Sequence, residues 1–417
     1  MKKANILVTE VFDTELIGEG ALSTFSHAHR ELMESDCIVI PHSATIYAQI
    51  VESPIIQNWN RLKNVYNDDG EILLRVPDDV AKCPGTIAVH DIQLSQLPLE
   101  SFNTIVSAQP VFQFDWSGKT PFICDHFTVS NCRAERDGTA QAIFMWWSLQ
   151  MDVENEIVLT CAPVWGREMF GKQYVKDIPW RDHWMQAIYY LPTEVKVRKF
   201  DDLNLVSCHD EFSLWFNLKK DLQATEIDFE KPQCHCNLHK IYSRTRIGQL
   251  NDGPRNKKFV SLLEEYVNRD TVILILSHGF YYGLVAAKVG AKKIFFVEPN
   301  ILSRRFIQNF VAYNELGNIE IVESVHALNK FDDKVNLIFG EPHFNSCILP
   351  WDNLLFFYMV KEAIKFCVDE VKIFPSKAVI RGVAVKFKDL QKIRSPLGTC
   401  EGFQMKPFDD LICVRQF

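Results

Sequence analysis

The segment Thr9-Glu10-Val11-Phe12-Asp13-Thr14-Glu15-Leu16-Ile17-Gly18-Glu19-Gly20 puts four carboxylates within ten residues. Like charges this close repel, so the segment needs either solvent or a cation. A guanidinium suits it, being planar, permanently charged and able to fork onto carboxylates. Two glutamates facing one arginine side chain could pin it and aim one of its nitrogens as a nucleophile. The same acids could also belong to a plain solvated loop. Apolar Val11, Phe12, Leu16 and Ile17 lie between them and two glycines close the run, which favours a packed hairpin loop.

Three further clusters carry chemistry. Cys234-His235-Cys236-Asn237-Leu238-His239 offers two thiolates and an imidazole within one loop. A fourth ligand from His209 or Cys208 would complete a tetrahedral zinc site, and the position between two differently textured regions suits a structural clamp. Trp180-Arg181-Asp182-His183-Trp184-Met185-Gln186 could wall an aromatic pocket, although a surface-to-core transition fits the same spacing. Ser277-His278-Gly279-Phe280-Tyr281-Tyr282-Gly283 ends a strand where a nucleotide loop would need several glycines. Bulky rings stand there instead, and Glu298, ending the next strand, is a lone match to a ribose-binding acid.

The elements around these clusters divide the chain of 417 residues. Residues 4–9 predict a buried strand and 21–34 a helix. Strands then follow at 37–51, 122–129, 141–151, 156–162, 185–191 and 212–218, as in an all-β barrel or sandwich. Beyond about residue 232 the order becomes helix 257–268, strand 271–276, helix 281–289, strand 293–298, helix 302–316, strand 319–322 and strand 335–339. That alternation predicts a doubly wound α/β sheet. The net charge of −8 argues against a general nucleic-acid or membrane-surface binder. Twelve scattered cysteines, with neither a signal peptide nor a long apolar run, point to a reduced, cytosolic protein.

A repeat ties the two halves together. Cys37–Ile46 and Val371–Ile380 both read strand, Pro-x-x-Ala, strand. Each follows a helix, and each helix follows a loop opened by a glutamate, Glu10 or Glu341. The glutamate-to-proline spacings are 31 and 34 residues. The second copy lacks a partner for Glu19, since Pro350 stands at that offset, and it reads as a non-catalytic duplicate. The first copy has only nine residues before Glu10, and the second stops 42 residues after Pro375, so the chain is expected to be cut at both ends.

These stretches, with Ile40-Pro41-His42-Ser43-Ala44-Thr45-Ile46-Tyr47-Ala48-Gln49, Gly340-Glu341-Pro342-His343-Phe344 and Ile393-Arg394-Ser395-Pro396-Leu397-Gly398-Thr399-Cys400-Glu401-Gly402-Phe403, resemble the tandem-module protein arginine N-methyltransferases over essentially the whole chain. The resemblance implies an α/β plus all-β chain. A partial Rossmann-like methyltransferase module (1–35) precedes a first β barrel (36–200) and a zinc-bearing linker (201–245). A degenerate second Rossmann-like module (246–370) and the start of a second barrel (371–417) follow. It implies that the modules pair as an intramolecular pseudo-dimer. Glu10 and Glu19 would hold the substrate guanidinium, and Asp182, His183 and Trp184 would line its pocket, with Asp182 standing where the family has threonine. Cys234, Cys236 and His239, with His209, would bind zinc. The implied reaction is methyl transfer from S-adenosylmethionine to an arginine ω-nitrogen, giving monomethylarginine in proteins such as histones and RNA-binding proteins. The implied location is cytoplasmic and nuclear. The cofactor loop of the first module precedes its acidic loop in this family and is not found here, and Glu298 is a vestigial match in the second module. This chain alone is therefore expected not to bind the cofactor productively. The alternative from another class is a catalytically inactive, zinc-braced arginine-peptide-binding or regulatory fragment.

Overall fold

In the computed structural model, residues 2–85, 89–171, 184–220, 230–344, 349–386 and 396–410 are described. The chain opens with β1 (Ala4–Val8), the acidic loop and α1 (Ala21–His27), which runs through a π-turn into β2 (Met33–Ile40). β1 and β2 pair in parallel. β1 is mostly exposed rather than buried as expected, because among the described residues it pairs on one side only.

The antiparallel region holds β3 (Ser43–Glu52), β4 (Val65–Tyr66), β5 (Ile72–Leu74), β6 (His90–Ile92), β7 (Asn103–Asp115), β8 (His126–Arg133), β9 (Gly138–Gln150), β10 (Val158–Thr160), β11 (Gln186–Val197), β12 (Asp202–His209) and β13 (Leu214–Lys219). One sheet runs β6-β11-β9-β3-β7, with β10 on β9, and a second runs β13-β12-β8. Their inner faces share one core, in which Ile46, Phe144 and Trp146 meet Leu205, Leu214 and Phe216. The barrel-or-sandwich expectation therefore holds as two antiparallel sheets around one core. Its pairing extends past residue 200, since β12 and β13 belong to it.

One excursion leaves this region. Between β3 and β6 the chain forms α2 (Pro54–Asn58), the β4–β5 hairpin and α3 (Asp78–Ala81). Leu62, Val65, Leu74, Val76, Val80 and Cys83 of this arm are buried in a different core, that of the second α/β region. Asn309 and Tyr313 hold its acids: Asn309 donates to Asp79, and the Tyr313 hydroxyl donates to Asp78 at 3.0 Å.

The second half begins with α4 (Leu238–Ile241), α5 (Arg244–Leu250) and α6 (Gly253–Tyr266). There follow β14 (Val272–Leu276), α7 (Val285–Val289), β15 (Lys293–Val297), α8 (Ile301–Tyr313), β16 (Ile319–Val322), β17 (Val335–Phe339), α9 (Leu355–Ala363) and β18 (Cys367–Phe374). The sheet is parallel, in the order β16-β15-β14-β17-β18. All five residues of β14 are buried, as a strand covered on both faces requires. Ile273, Ile275 and Phe296 face the layer of α6–α8, while Leu274, Leu276 and Phe295 share a core with Phe356 and Val360 of α9. The doubly wound expectation holds here. The strand expected after Pro375 does not form, since residues 376–386 carry no regular structure; β19 (Thr399–Cys400) and β20 (Phe403–Gln404) make a short separate hairpin. Among the described residues no helix is long and apolar enough to cross a membrane.

An aromatic stack joins α1 to the antiparallel core. Fully buried Trp116 lies flat between Phe25 of α1, at 4.6 Å between centroids, and Phe114 of β7, at 5.2 Å. Trp116→Ala removes this filling, and urea denaturation should show a loss of about 3–5 kcal/mol. A loss below about 1 kcal/mol would mean that the stack does not tie the two parts together.

Candidate functional site

The acidic loop is folded by contacts that begin within it and end on the antiparallel sheets. Asp13 accepts the backbone N–H groups of Glu15 and Gly18, each at 3.0 Å, and this closes the turn. Gly20 ends the loop at φ 82°, a left-handed conformation that glycine adopts without penalty, with the Phe212 ring packed beside it. Phe12, Leu16 and Ile17 are buried, and Phe12 meets Phe25, Trp116 and Trp147. Two indoles then fix the backbone: Trp147 Nε1 donates to the Asp13 carbonyl at 3.1 Å and Trp184 Nε1 to the Phe12 carbonyl at 2.8 Å. The two rings lie 4.9 Å apart, nearly edge to face.

Within the loop the carboxylates divide by environment. Glu15 is buried, and its Oε1 accepts the Tyr189 hydroxyl at 2.5 Å and the Leu214 N–H at 3.2 Å. Burial raises its pKa to about 7 against the pull of these bonds. Burial also raises Asp13. Glu10 and Glu19 are exposed, and Glu10 Oε1 accepts the Phe12 N–H at 3.4 Å. The loop thus buries one acid as an anchor and leaves the two predicted arginine-holding acids facing outward. Of the predicted pocket wall, Trp184 lies against this loop, while Asp182 and His183 fall outside the described residues. Sequence spacing did not single out Glu15, Tyr189 or Trp147, because their contacts span more than 100 residues.

The second cluster is thiol-rich. Asn237, at φ 69°, turns the Cys-x-Cys loop into α4, which carries His239. Cys83, Cys234, Cys236 and His239 are all buried, with one ligand atom from each lying within 4.8 Å of the others. Cys234 Sγ to Cys236 Sγ is 3.8 Å and Cys236 Sγ to His239 Nδ1 is 3.9 Å. A tetrahedron with arms of about 2.3 Å has edges of about 3.8 Å. His239 Nε2 donates to the Asn60 carbonyl at 2.9 Å, which leaves Nδ1 to face the sulfurs. Hydrogen bonds from Cys234 and Cys236 hold the Cys83 thiol well below the ordinary thiol range. The geometry corrects the expected fourth ligand. His209 is not in the cluster: it ends β12, donates from Nδ1 to the Asp210 carbonyl at 2.9 Å, and packs edge-on against Phe112 at 4.8 Å. Burial pushes its pKa down to about 4. Cys83 takes the place assigned to it, carried in by the arm between β3 and β6. Nothing in the spacing marks Cys83, which lies 151 residues before Cys234.

At the second sheet, Glu298 is fully buried and used internally. It accepts from His278 Nδ1 at 3.1 Å, Gly279 N at 2.9 Å, Asn300 N at 3.0 Å and Ser303 Oγ at 2.7 Å. Burial pushes its pKa up, but the bonds from His278 and Ser303 outweigh this and hold it below the usual carboxylate range. The loop after β14 is packed shut: Phe280, Tyr281 and Tyr282 are buried, and the Tyr242 ring sits where a Cβ on Gly279 would lie.

Comparison with known proteins follows this division. A family model described as the arginine methyltransferase oligomerization subdomain matches residues 42–221. The chain is 45% identical to protein arginine N-methyltransferase 7 of Aedes aegypti, over 99% of this chain and 61% of the relative. It is 44% identical to the protein of the same name in Anopheles gambiae, covering 62% of it, and 40% identical to that of Drosophila melanogaster, covering 61%. The chain thus spans about three-fifths of the length of the curated relatives it matches. Among solved structures, the Trypanosoma brucei PRMT1 enzyme–prozyme heterotetrameric complex with AdoHcy is similar at 15% identity and a TM-score of 0.37, over 55% of this chain and 67% of that one.

The anchor acid makes stability depend on pH. A raised folded-state value means that Glu15's contribution is fully present below its ordinary value of 4.5 and is lost as the pH rises through about 7. Glu15→Gln keeps a neutral, hydrogen-bonding shape. Its stability relative to wild type should therefore rise across that window by as much as about 3 kcal/mol. Urea denaturation at several pH values checks this, and a difference that stays flat contradicts it.

Proposed function

We propose that this chain, similar as it is to protein arginine N-methyltransferase 7 of Aedes aegypti, carries the arginine-gripping part of an S-adenosylmethionine-dependent protein arginine N-methyltransferase. The single observation that carries the proposal is the acidic loop pinned to the antiparallel sheets by Trp147, Trp184 and Tyr189, with Glu10 and Glu19 left outward. A loop fixed before the substrate arrives loses little entropy on binding it. Two carboxylates then take the two edges of one guanidinium, hold its plane and raise electron density on one ω-nitrogen. Trp184 walls the side chain, so that positioning supplies most of the rate; Asp182 and His183, outside the described residues, are assigned to the same wall by the resemblance. The cofactor supplies an electrophilic methyl group, and the product is monomethylarginine in proteins such as histones and RNA-binding proteins.

At the second sheet Tyr242, Phe280 and Tyr281 fill the crevice, and Glu298 is already occupied by hydrogen bonds within the chain. The role proposed for the acidic loop is to bind and orient the arginine. The glutamate-led loops suggest two tandem modules paired within one chain, the second degenerate. In support, Gly340 N donates to the Phe374 carbonyl at 3.1 Å as Thr9 N does to that of Ile40 at 3.1 Å.

Cys83, Cys234, Cys236 and His239 fit a structural zinc ion in donor type, burial and spacing. Bound there, the ion would join the arm to the linker and so brace the two halves. The reduced thiols this requires agree with a cytoplasmic and nuclear location.

Two measurements test the proposal. In calorimetry, an arginine-rich peptide should bind the chain, and Glu10→Gln or Glu19→Gln should each weaken it by about tenfold or more. Equal affinity for the lysine-substituted peptide, or no effect of either change, contradicts the grip. Metal analysis should find about one zinc per chain, lost in Cys83→Ser and retained in His209→Ala. Retention in Cys83→Ser contradicts the four-residue site.

A further inference from the structure

In the second parallel sheet the strand order reverses beside β14, and open α/β sheets bind ligands in the crevice at such a point. Glu341 stands there. It follows β17 as Glu10 follows β1, with the matching backbone bond to the neighbouring strand, so it holds in the second sheet the place that Glu10 holds in the first. Its carboxylate meets the chain's own arginines. Arg246 Nη1 lies 2.8 Å from Oε2, and Arg255 Nη2 pairs with Oε1.

We propose that this crevice is an intramolecular guanidinium site, in which Glu341 binds Arg246 and Arg255 and thereby docks the linker helices onto the second sheet. Each part of the surroundings serves that geometry. The Arg246 side chain is 1% exposed, and its Nη2 donates to the His278 carbonyl at 3.2 Å, on the loop after β14. Ser243 caps α5 by accepting the Arg246 N–H at 3.1 Å, which fixes the helical turn that carries the arginine. Asp252 caps α6 in the same way through Arg255, whose guanidinium also lies over the Phe259 ring at 4.9 Å. One turn earlier in the chain, Tyr242 lies across Gly279 and bonds Ser303 at 2.7 Å, closing the rest of the crevice. A buried guanidinium cannot shed its charge, so it needs the carboxylate. His343 beside it is driven down to about 4 by burial and by the two arginines, so it adds no third positive charge. The segment that carries Cys234, Cys236 and His239 leads directly into α5 and α6, so the Cys/His cluster and the Glu341 ion pairs stand at the two ends of residues 234–255.

The inference rests on ion-pair geometry and not on any activity of the first loop, so its test uses neither peptide nor methylation. Arg246→Ala in the full chain leaves a guanidinium-shaped void beside Glu341. Its melting temperature should fall by about 5–15 °C. Methylguanidinium at millimolar concentration should restore at least half of that loss in a saturable manner. Methylammonium at equal ionic strength should not, and neither should methylguanidinium when Glu341→Gln is also present. Arg255→Ala, at the more exposed of the two arginines, should show the same selective rescue and serves if Arg246→Ala does not fold. Absence of rescue in both, equal rescue by methylammonium, or rescue that survives Glu341→Gln would overturn the proposal.

Discussion

Everything at the first loop depends on two indole N–H groups finding backbone carbonyls. Trp147 is fully buried and Trp184 half-buried; each carries one polar atom, and giving that atom a partner stabilises the packed ring. The carbonyls of Asp13 and Phe12 provide the partners. The cost of burying the rings thus becomes the force that shapes the loop. Glu15 repeats the logic with a carboxyl group: it is buried because Tyr189 and Leu214 bond it, and it locks the loop's far side. With four acids in one short loop, repulsion is relieved by burying one as an anchor and turning Glu10 and Glu19 outward. A loop so constrained is an acidic surface of fixed shape, which is what recognition of a planar cation requires.

The second constraint is the arm that leaves the antiparallel region after β3. Its apolar residues enter the core of the parallel sheet, and Cys83 travels with them to the Cys/His loop. Apolar burial brings the arm there, the Cys/His cluster gathers four side chains from both segments, and the Glu341 ion pairs tie on the helices that follow. Three kinds of interaction thus converge on one linker, each joining residues far apart in sequence. Such long-range closure is entropically costly, and several anchors offset it better than one.

Periodicity and local motif made much of this legible. β14, β15 and β17 stood out as short continuous apolar runs, and β9 and β13 as aromatic and β-branched runs between turn residues. The acidic loop was legible because its charges and apolar residues alternate within a dozen positions. β7 and β12 were not picked out: Gln109 and Pro110 interrupt the first, and polar Asn204, Ser207 and His209 the second. Cys83 is not legible in the sequence, where His209 stands as the fourth candidate, because a side chain delivered by tertiary packing leaves no spacing signal. Arg246 and Arg255 leave no such signal either, since only the fold brings them to Glu341.

The central claim is that the antiparallel sheets hold the acidic loop in shape for one guanidinium. The most direct measurement is a crystal structure of the chain with a bound arginine peptide. The account expects one guanidinium with its nitrogens about 2.7–2.9 Å from carboxylate oxygens of both Glu10 and Glu19, on a loop unmoved from its unliganded position. A peptide seated elsewhere, or a loop that must refold to receive it, would contradict the account.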